Sequence, residues 1–96
     1  MNFTEKVYEL CKKIPKGKVS TYKDISLQLN SKAYRAVGNV LNKNKSKQVP
    51  CHRVIKSNGE IGGFARGTKN KIKLLKKEGI IIKNNKISLK EFLYKF

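Results

Sequence analysis

Thr21-Tyr22-Lys23-Asp24-Ile25-Ser26-Leu27-Gln28-Leu29-Asn30, followed by Ser31-Lys32-Ala33-Tyr34-Arg35-Ala36-Val37-Gly38-Asn39-Val40-Leu41-Asn42-Lys43, is the stretch that decides the fold. Thr21 is a good helix cap, Asp24 suits a first turn, and Ile25 and Leu29 fall on one helical face. Asn30-Ser31 breaks that helix, and Ser31 is placed to cap the next. There Ala33, Ala36, Val37, Val40 and Leu41 form an apolar stripe. The opposite face carries Lys32, Arg35, Asn39, Asn42 and Lys43. Two short helices, a break of two to three residues and a basic outer face on the second read as a helix-turn-helix.

Upstream, Asn2 with Glu5 makes a capping box for a helix whose Phe3, Val7, Leu10, Cys11 and Ile14 recur at helical spacing. Pro15 ends it, Lys16-Gly17 turns, and Lys18-Val19-Ser20 reads as extended. Downstream, residues 42–50 are a polar loop, and Cys51-His52-Arg53-Val54-Ile55-Lys56 reads as extended. Ser57-Asn58-Gly59-Glu60 is a turn, and residues 61–67 form a glycine-rich loop. Thr68 is expected to cap a helix running to Glu78, with Ile72, Leu74 and Leu75 inward and Gly79 closing it. Ile80-Ile81-Ile82, Asn84-Asn85 and Lys86-Ile87-Ser88 predict a hairpin. Ser88 and Glu91 then suggest a second capping box, before a helix holding Leu89, Phe92, Leu93 and Phe96. The expected fold is mainly α, a helix-turn-helix or winged-helix-like domain with a small β hairpin, one unit over residues 1–96.

The 96 residues carry 23 Lys plus Arg against 6 Asp plus Glu, a net charge of +17. Such an excess points to a polyanion, either nucleic acid or an anionic membrane surface. Arginine stands only at positions 35, 53 and 66 in an otherwise lysine-rich chain. That distribution suits tasks needing a planar, multi-donor head. No apolar run approaches the ~20 residues of a membrane span, and Met1-Asn2-Phe3-Thr4-Glu5-Lys6 resembles no targeting segment. A cytoplasmic protein is expected, or a nuclear one in a eukaryote, without membrane partners and monomeric. Cys11 and Cys51 are too few for a disulfide scaffold. With His52 they lack the ligand number and spacing of structural zinc, so neither metal nor cofactor is expected. The loop 59–67 lacks the phosphate-binding glycine motifs.

Pro50-Cys51-His52-Arg53-Val54 is the most informative segment. A free thiol titrates near roughly 8.5 and needs help to act as a thiolate at neutral pH. Imidazole is the usual helper. In an extended segment, however, Cys51 and His52 point to opposite sides, so their cooperation requires a local turn or a bridging water. A buried structural cysteine beside a surface histidine is the plainer alternative.

That pentapeptide resembles the active-site signature of the O6-alkylguanine-DNA alkyltransferases. Other segments resemble the family in the same order. These are Ile14-Pro15-Lys16-Gly17-Lys18-Val19-Ser20-Thr21-Tyr22, Arg35-Ala36-Val37-Gly38-Asn39, Asn44, and Leu74-Leu75-Lys76-Lys77-Glu78-Gly79. The resemblance covers about residues 3–82. It implies single-use transfer of an alkyl group from guanine O6 in double-stranded DNA to Cys51, with His52 linked through a water and oriented by Glu78. It further implies that Asn44 braces the active-site turn, and that Tyr22 crowds a phosphate and offers its hydroxyl to guanine N3. The target base must leave the stack. By resemblance Arg35 fills the vacancy, and Ala33, Ala36, Gly38 and Asn39 approach the minor groove, with Arg53 also assigned to DNA. Pro50, Val54, Gly63, Phe64, Ala65 and Arg66 would line the base pocket.

The sequence also departs from the family. The α/β domain that usually precedes this one in the family is expected to be absent, the protein being either naturally minimal or a cut form. Lone-domain alkyltransferase-like relatives, which bind lesions without repairing them, carry another residue, often Trp, where this chain has Cys51. The Asn44-to-Cys51 loop is one residue shorter than usual. Phe64-Ala65-Arg66 lacks a hydroxyl found in many members, leaving guanine O6 to the Ala65 N–H. A regulatory helix-turn-helix protein would explain the charge but would make no demand on Cys51.

Overall fold

The computed structural model describes residues 1–44 and 46–96. Its elements run α1 (Phe3–Lys12), β1 (Ser20–Thr21), α2 (Tyr22–Gln28), α3 (Tyr34–Lys43), a 3₁₀ turn (Cys51–Arg53), β2 (Val54–Ile55), α4 (Thr68–Lys77), β3 (Ile82–Lys83), β4 (Lys86–Ile87) and α5 (Leu89–Phe92). The helix-turn-helix is α2 and α3, packed on each other and on α1. Asn2 Oδ1 caps α1 through Glu5 N–H at 2.8 Å, and Thr21 Oγ1 caps α2 through Asp24 N–H at 3.0 Å. Asn84 and Asn85 take the left-handed backbone a two-residue hairpin turn demands, and β3 pairs antiparallel with β4.

Two apolar clusters make the interior. The first joins Val7, Cys11 and Ile14 of the N-terminal segment to Ile25, Val37, Leu41, Val49, Cys51 and Val54. The second joins Val19, Ile55, Ile61, Leu75, Ile80 and Ile87. Strand β2 separates them. Successive strand residues face opposite ways, so Val54 enters the first cluster and Ile55 the second. Its partner β1 runs parallel, with Ser20 opposite Val54 and Thr21 opposite Ile55. This pairing fixes the start of α2 beside the Cys51 turn.

Several local expectations are corrected. The extended segment begins only at Val54. Cys51–Arg53 is a 3₁₀ turn, closed by Cys51 N–H to Val49 O at 2.8 Å and Arg53 N–H to Pro50 O at 3.0 Å. Helix α3 starts at Tyr34, after an uncapped Ala33, because the Ser31 hydroxyl is taken by Ala33 N–H at 3.0 Å. Ala33 is therefore exposed rather than part of the stripe, and Asn42 and Lys43 belong to α3 rather than to the loop after it. Lys45 of that loop lies outside the described residues.

Thr68 is the first helical residue of α4 rather than its cap, which is Gly67. The inner face of α4 is Lys71 and Leu75, with Ile72 and Leu74 half-buried. The Ser88 side chain makes no cap, since α5 lasts only four residues before the chain straightens. There Val19 N–H reaches Phe92 O at 2.9 Å and Tyr94 N–H reaches Val19 O at 2.7 Å.

Candidate active site

A 3₁₀ turn advances three residues per revolution, so consecutive side chains stand ~120° apart instead of ~180°. That geometry answers the difficulty posed by an extended Cys-His pair. The Cys51 thiol turns toward α1 and the end of α3, while His52 and Arg53 both reach the C-terminal end of α4. Cys51 is 4% exposed. Its Sγ accepts a hydrogen bond from Asn44 Nδ2 at 3.0 Å, and the free thiol of Cys11 shares the first cluster with it. Asn44 is held in turn, donating to Ser46 O at 3.2 Å and accepting from Ser46 N–H at 3.2 Å.

Glu78 caps the C-terminus of α4, where the helix dipole disfavours negative charge. It is compensated on both oxygens. Arg53 donates through Nε to Oε1 at 2.9 Å and through Nη2 to Oε2 at 2.7 Å, and His52 Nε2 lies 2.9 Å from Oε2. Burial alone would raise the Glu78 carboxyl, but the Arg53 and His52 hydrogen bonds hold it below its ordinary value. His52 is pushed down, chiefly by burial, which outweighs the nearby carboxylate, and is neutral at pH 7. A carboxylate only accepts, so the neutral ring carries its proton on Nε2 and presents bare Nδ1 as a base.

The Cys51 thiol is lowered. The neighbouring Cys11 thiol contributes most, burial opposes it, and Asn44 and the Lys71 ammonium add to the lowering. Cys11 moves the other way, driven up by the neighbouring Cys51 and by burial, and so keeps its proton.

A family model for 6-O-methylguanine DNA methyltransferase, DNA binding domain, matches residues 2–80. The chain belongs to this family. It is 45% identical over 83 residues to a methylated-DNA–protein-cysteine methyltransferase of Metallosphaera sedula, covering 85% of this chain and 52% of that protein. It is 40% identical over 90 residues to a bifunctional methyltransferase/endonuclease of Picrophilus torridus, covering 92% of this chain and 30% of that one. The chain thus spans about half the length of such a methyltransferase and less than a third of the bifunctional protein.

Among solved structures, S. pombe Atl1 bound to damaged DNA containing O6-carboxymethylguanine superposes with a TM-score of 0.88 at 33% identity. That match covers 98% of this chain and 95% of Atl1. The O6-methylguanine-DNA methyltransferase of Pyrococcus kodakaraensis gives 0.74 at 40% identity, over 83% of this chain and 47% of that one.

The helix-turn-helix faces an open cleft of about 510 Å³, lined by Tyr22, Arg35, Gly38, Asn39, Asn42 and Gly63, among others. Cys51 is not among the residues that line it. Arg35 and Asn39 are exposed, and Ala36 and Gly38 are half-buried. A Cβ on Gly38 would lie 3.8 Å from the Tyr22 ring. Gly62 has φ +77, and a Cβ there would come within 3.2 Å of the Tyr22 hydroxyl, so only glycine lets the loop press against this tyrosine.

The other expected pocket residues fall in two groups. Pro50 and Ala65 are half-buried near the turn, whereas Val54 is sealed in the first cluster, behind Cys51 rather than in an open wall. Phe64 meets the His52 ring edge-on, with centroids 6.4 Å apart, and the Arg66 guanidinium lies 5.1 Å above the Phe64 ring. Arg53, expected at DNA, turns inward instead. Besides Glu78, it donates through Nη1 to Ile14 O at 2.8 Å.

Two participants escaped the sequence reading. Cys11 sits on the expected apolar stripe but ends against Cys51. Lys71 is fully buried, and its Nζ donates to Val54 O at 2.7 Å, Gly63 O at 3.0 Å and Tyr22 Oη at 3.4 Å. The ammonium thereby joins β2, the glycine loop and Tyr22, and leaves the phenol hydrogen free to donate outward. Burial pulls Lys71 down to about 7, opposed only partly by the two thiols. The spacing of Lys71, Leu75 and Glu78 along one helical stripe was the available signal. It was masked by seven other lysines between residues 69 and 90.

Proposed function

We propose that the protein repairs O6-alkylguanine in double-stranded DNA by transferring the alkyl group once, irreversibly, to Cys51. The observation that carries this reading is the lowered Cys51 thiol, hydrogen-bonded by Asn44 and sharing a cluster with Cys11, beside a neutral His52 backed by Glu78. The Cys51 proton passes through a water to His52 Nδ1. The thiolate sulfur then bonds to the alkyl carbon while the carbon–O6 bond breaks and its electron pair leaves with guanine. Tyr22 donates its hydroxyl hydrogen to guanine N3 and so neutralises the leaving base. Burial lifts the Tyr22 hydroxyl to about 12, which keeps it protonated until that moment. Arg35, Ala36, Gly38 and Asn39 face the minor groove, and Arg35 occupies the gap left by the extruded guanine. Arg53 serves as a brace for Glu78 rather than a DNA contact. The protein acts as a monomer inside the cell, and no described helix is long and apolar enough to cross a membrane.

The deciding experiment is intact-protein mass spectrometry after incubation with a duplex containing O6-methylguanine. The expected gain is one methyl (about 14 Da, from alkylation of one thiolate), mapped to Cys51 and absent from Cys11. A second reading has its own support, the match to Atl1 over nearly the whole of both chains. On that reading the protein binds and extrudes the lesion without reacting. Tight binding to the modified duplex with unchanged mass would favour it and remove the transfer reading.

A further inference from the structure

Tyr34 has no evident work inside the protein. It is the first residue of α3, its side chain is 50% exposed, and it belongs to neither apolar cluster. Three other large apolar residues are similarly exposed among the described residues, namely Met1, Leu27 and Ile81. Of the four, Tyr34 lines the 510 Å³ cleft together with Arg35 and Tyr22. The cleft rim also carries Lys23 and Lys56, so the ring stands in a basic setting. An exposed aromatic ring among cations is the arrangement that holds nucleotides, because bases stack on the ring while the cations meet phosphates. Consecutive helical residues diverge by ~100°, so Tyr34 and Arg35 fan out from one turn and reach neighbouring positions along a strand laid in the cleft.

We propose that Tyr34 is a second DNA-opening contact, its ring lying against the nucleotide beside the gap that Arg35 fills. This rests on the duplex-binding reading above. The small residues of the α3 face admit the groove, and Tyr34 supplies an exposed, bulky planar surface at its entrance. It helps hold the opened duplex and has no part in the chemistry at Cys51. Alanine is well tolerated at an exposed helical position, so the truncated variant retains the fold.

The test uses a duplex with O6-methylguanine next to 2-aminopurine, whose emission rises when it unstacks. Affinity and emission are measured for wild type, Tyr34→Ala and Tyr34→Phe, alongside the rate of reaction with free O6-benzylguanine. Tyr34→Ala is expected to bind the modified duplex roughly 5- to 20-fold more weakly, the scale of one aromatic–base contact, with reduced emission. Tyr34→Phe matches wild type, and all three react alike with the free base. Equal duplex affinity and emission for Tyr34→Ala would overturn the proposal, as would failure of phenylalanine to rescue or an equal loss on the free base. If wild type itself fails to raise the emission, the duplex-opening reading falls and this one with it. If wild type raises emission without gaining mass, alkyl transfer fails and the Tyr34 comparison still decides.

Discussion

Replacing Lys71 by methionine tests the central electrostatic feature of the site, because methionine fills a similar volume without charge or donors. The native lysine titrates near about 7, against 10.5 for the same group unperturbed. Between these values the unfolded chain binds a proton that the folded chain does not, so folding stability rises with pH across that window. Integrated from pH 6.5 to 9.5, the linkage amounts to roughly 3 kcal/mol in favour of the wild type at the alkaline end. Lys71→Met lacks this contribution and leaves Val54 O and Gly63 O without their shared donor, a loss of about 1–3 kcal/mol for each carbonyl stranded without a partner. Urea unfolding followed by circular dichroism, at half-unit pH steps for both proteins, gives the difference directly. The gap between wild type and variant should widen by roughly 3 kcal/mol as pH rises, cancelling the titrations the two share. Parallel curves would show that the buried ammonium keeps its proton throughout, and would refute the assignment of its depressed value to burial.

Glu78→Gln strips Arg53 of its bidentate partner and should cost roughly 3 kcal/mol at neutral pH, read by thermal or urea unfolding, while slowing alkyl transfer about 10-fold or more through a poorly oriented His52. The Glu78 stabilisation is present above the ordinary glutamate range and lost as pH falls through the lowered native value, so the variant should lack that part of the acid destabilisation. Arg66→Gly uncovers the Phe64 ring that abuts His52, and should speed reaction with free O6-benzylguanine while leaving duplex affinity unchanged. Weakened duplex binding with an unaltered benzyl rate would instead mark Arg66 as a phosphate contact. The Ser20 hydroxyl is buried without a partner among the described residues, so Ser20→Ala should raise the melting temperature, by up to ~1 kcal/mol in stability.

Features written in local code were legible from sequence. Thr21 announced α2, Asn84-Asn85 announced the hairpin, and Gly79 closed α4 with the positive φ expected of it. What depends on distant partners was not. Strands of two residues have no period to read, so the parallel pairing of Ser20–Thr21 with Val54–Ile55 left no trace in either segment. The β-branched Val54-Ile55 made the preceding Cys-His-Arg look extended, although the backbone hydrogen bonds of Val49 and Pro50 wind it into a turn. At the site, the pentapeptide marked Cys51 and His52, and the pairing of His52 with Glu78 followed from resemblance alone. Lys71 and Cys11 stayed hidden because their acceptors and neighbours lie on other elements. The inward turn of Arg53 was hidden for the same reason, since the Ile14 carbonyl that accepts from it lies far away in the chain.

The order of these residues along the chain has a consequence for synthesis. Cys51 leaves the ribosome before Lys71 and Glu78, because α4 follows the turn it completes. Contacts between segments so far apart form late, after the long loop between them closes. A nascent chain therefore carries an ordinary thiol beside an unoriented histidine, with no buried cation and no carboxylate behind it. On the transfer reading, the reactive thiol is completed only when α4 docks, and Cys51 is thus shielded from stray electrophiles until the fold around it is complete.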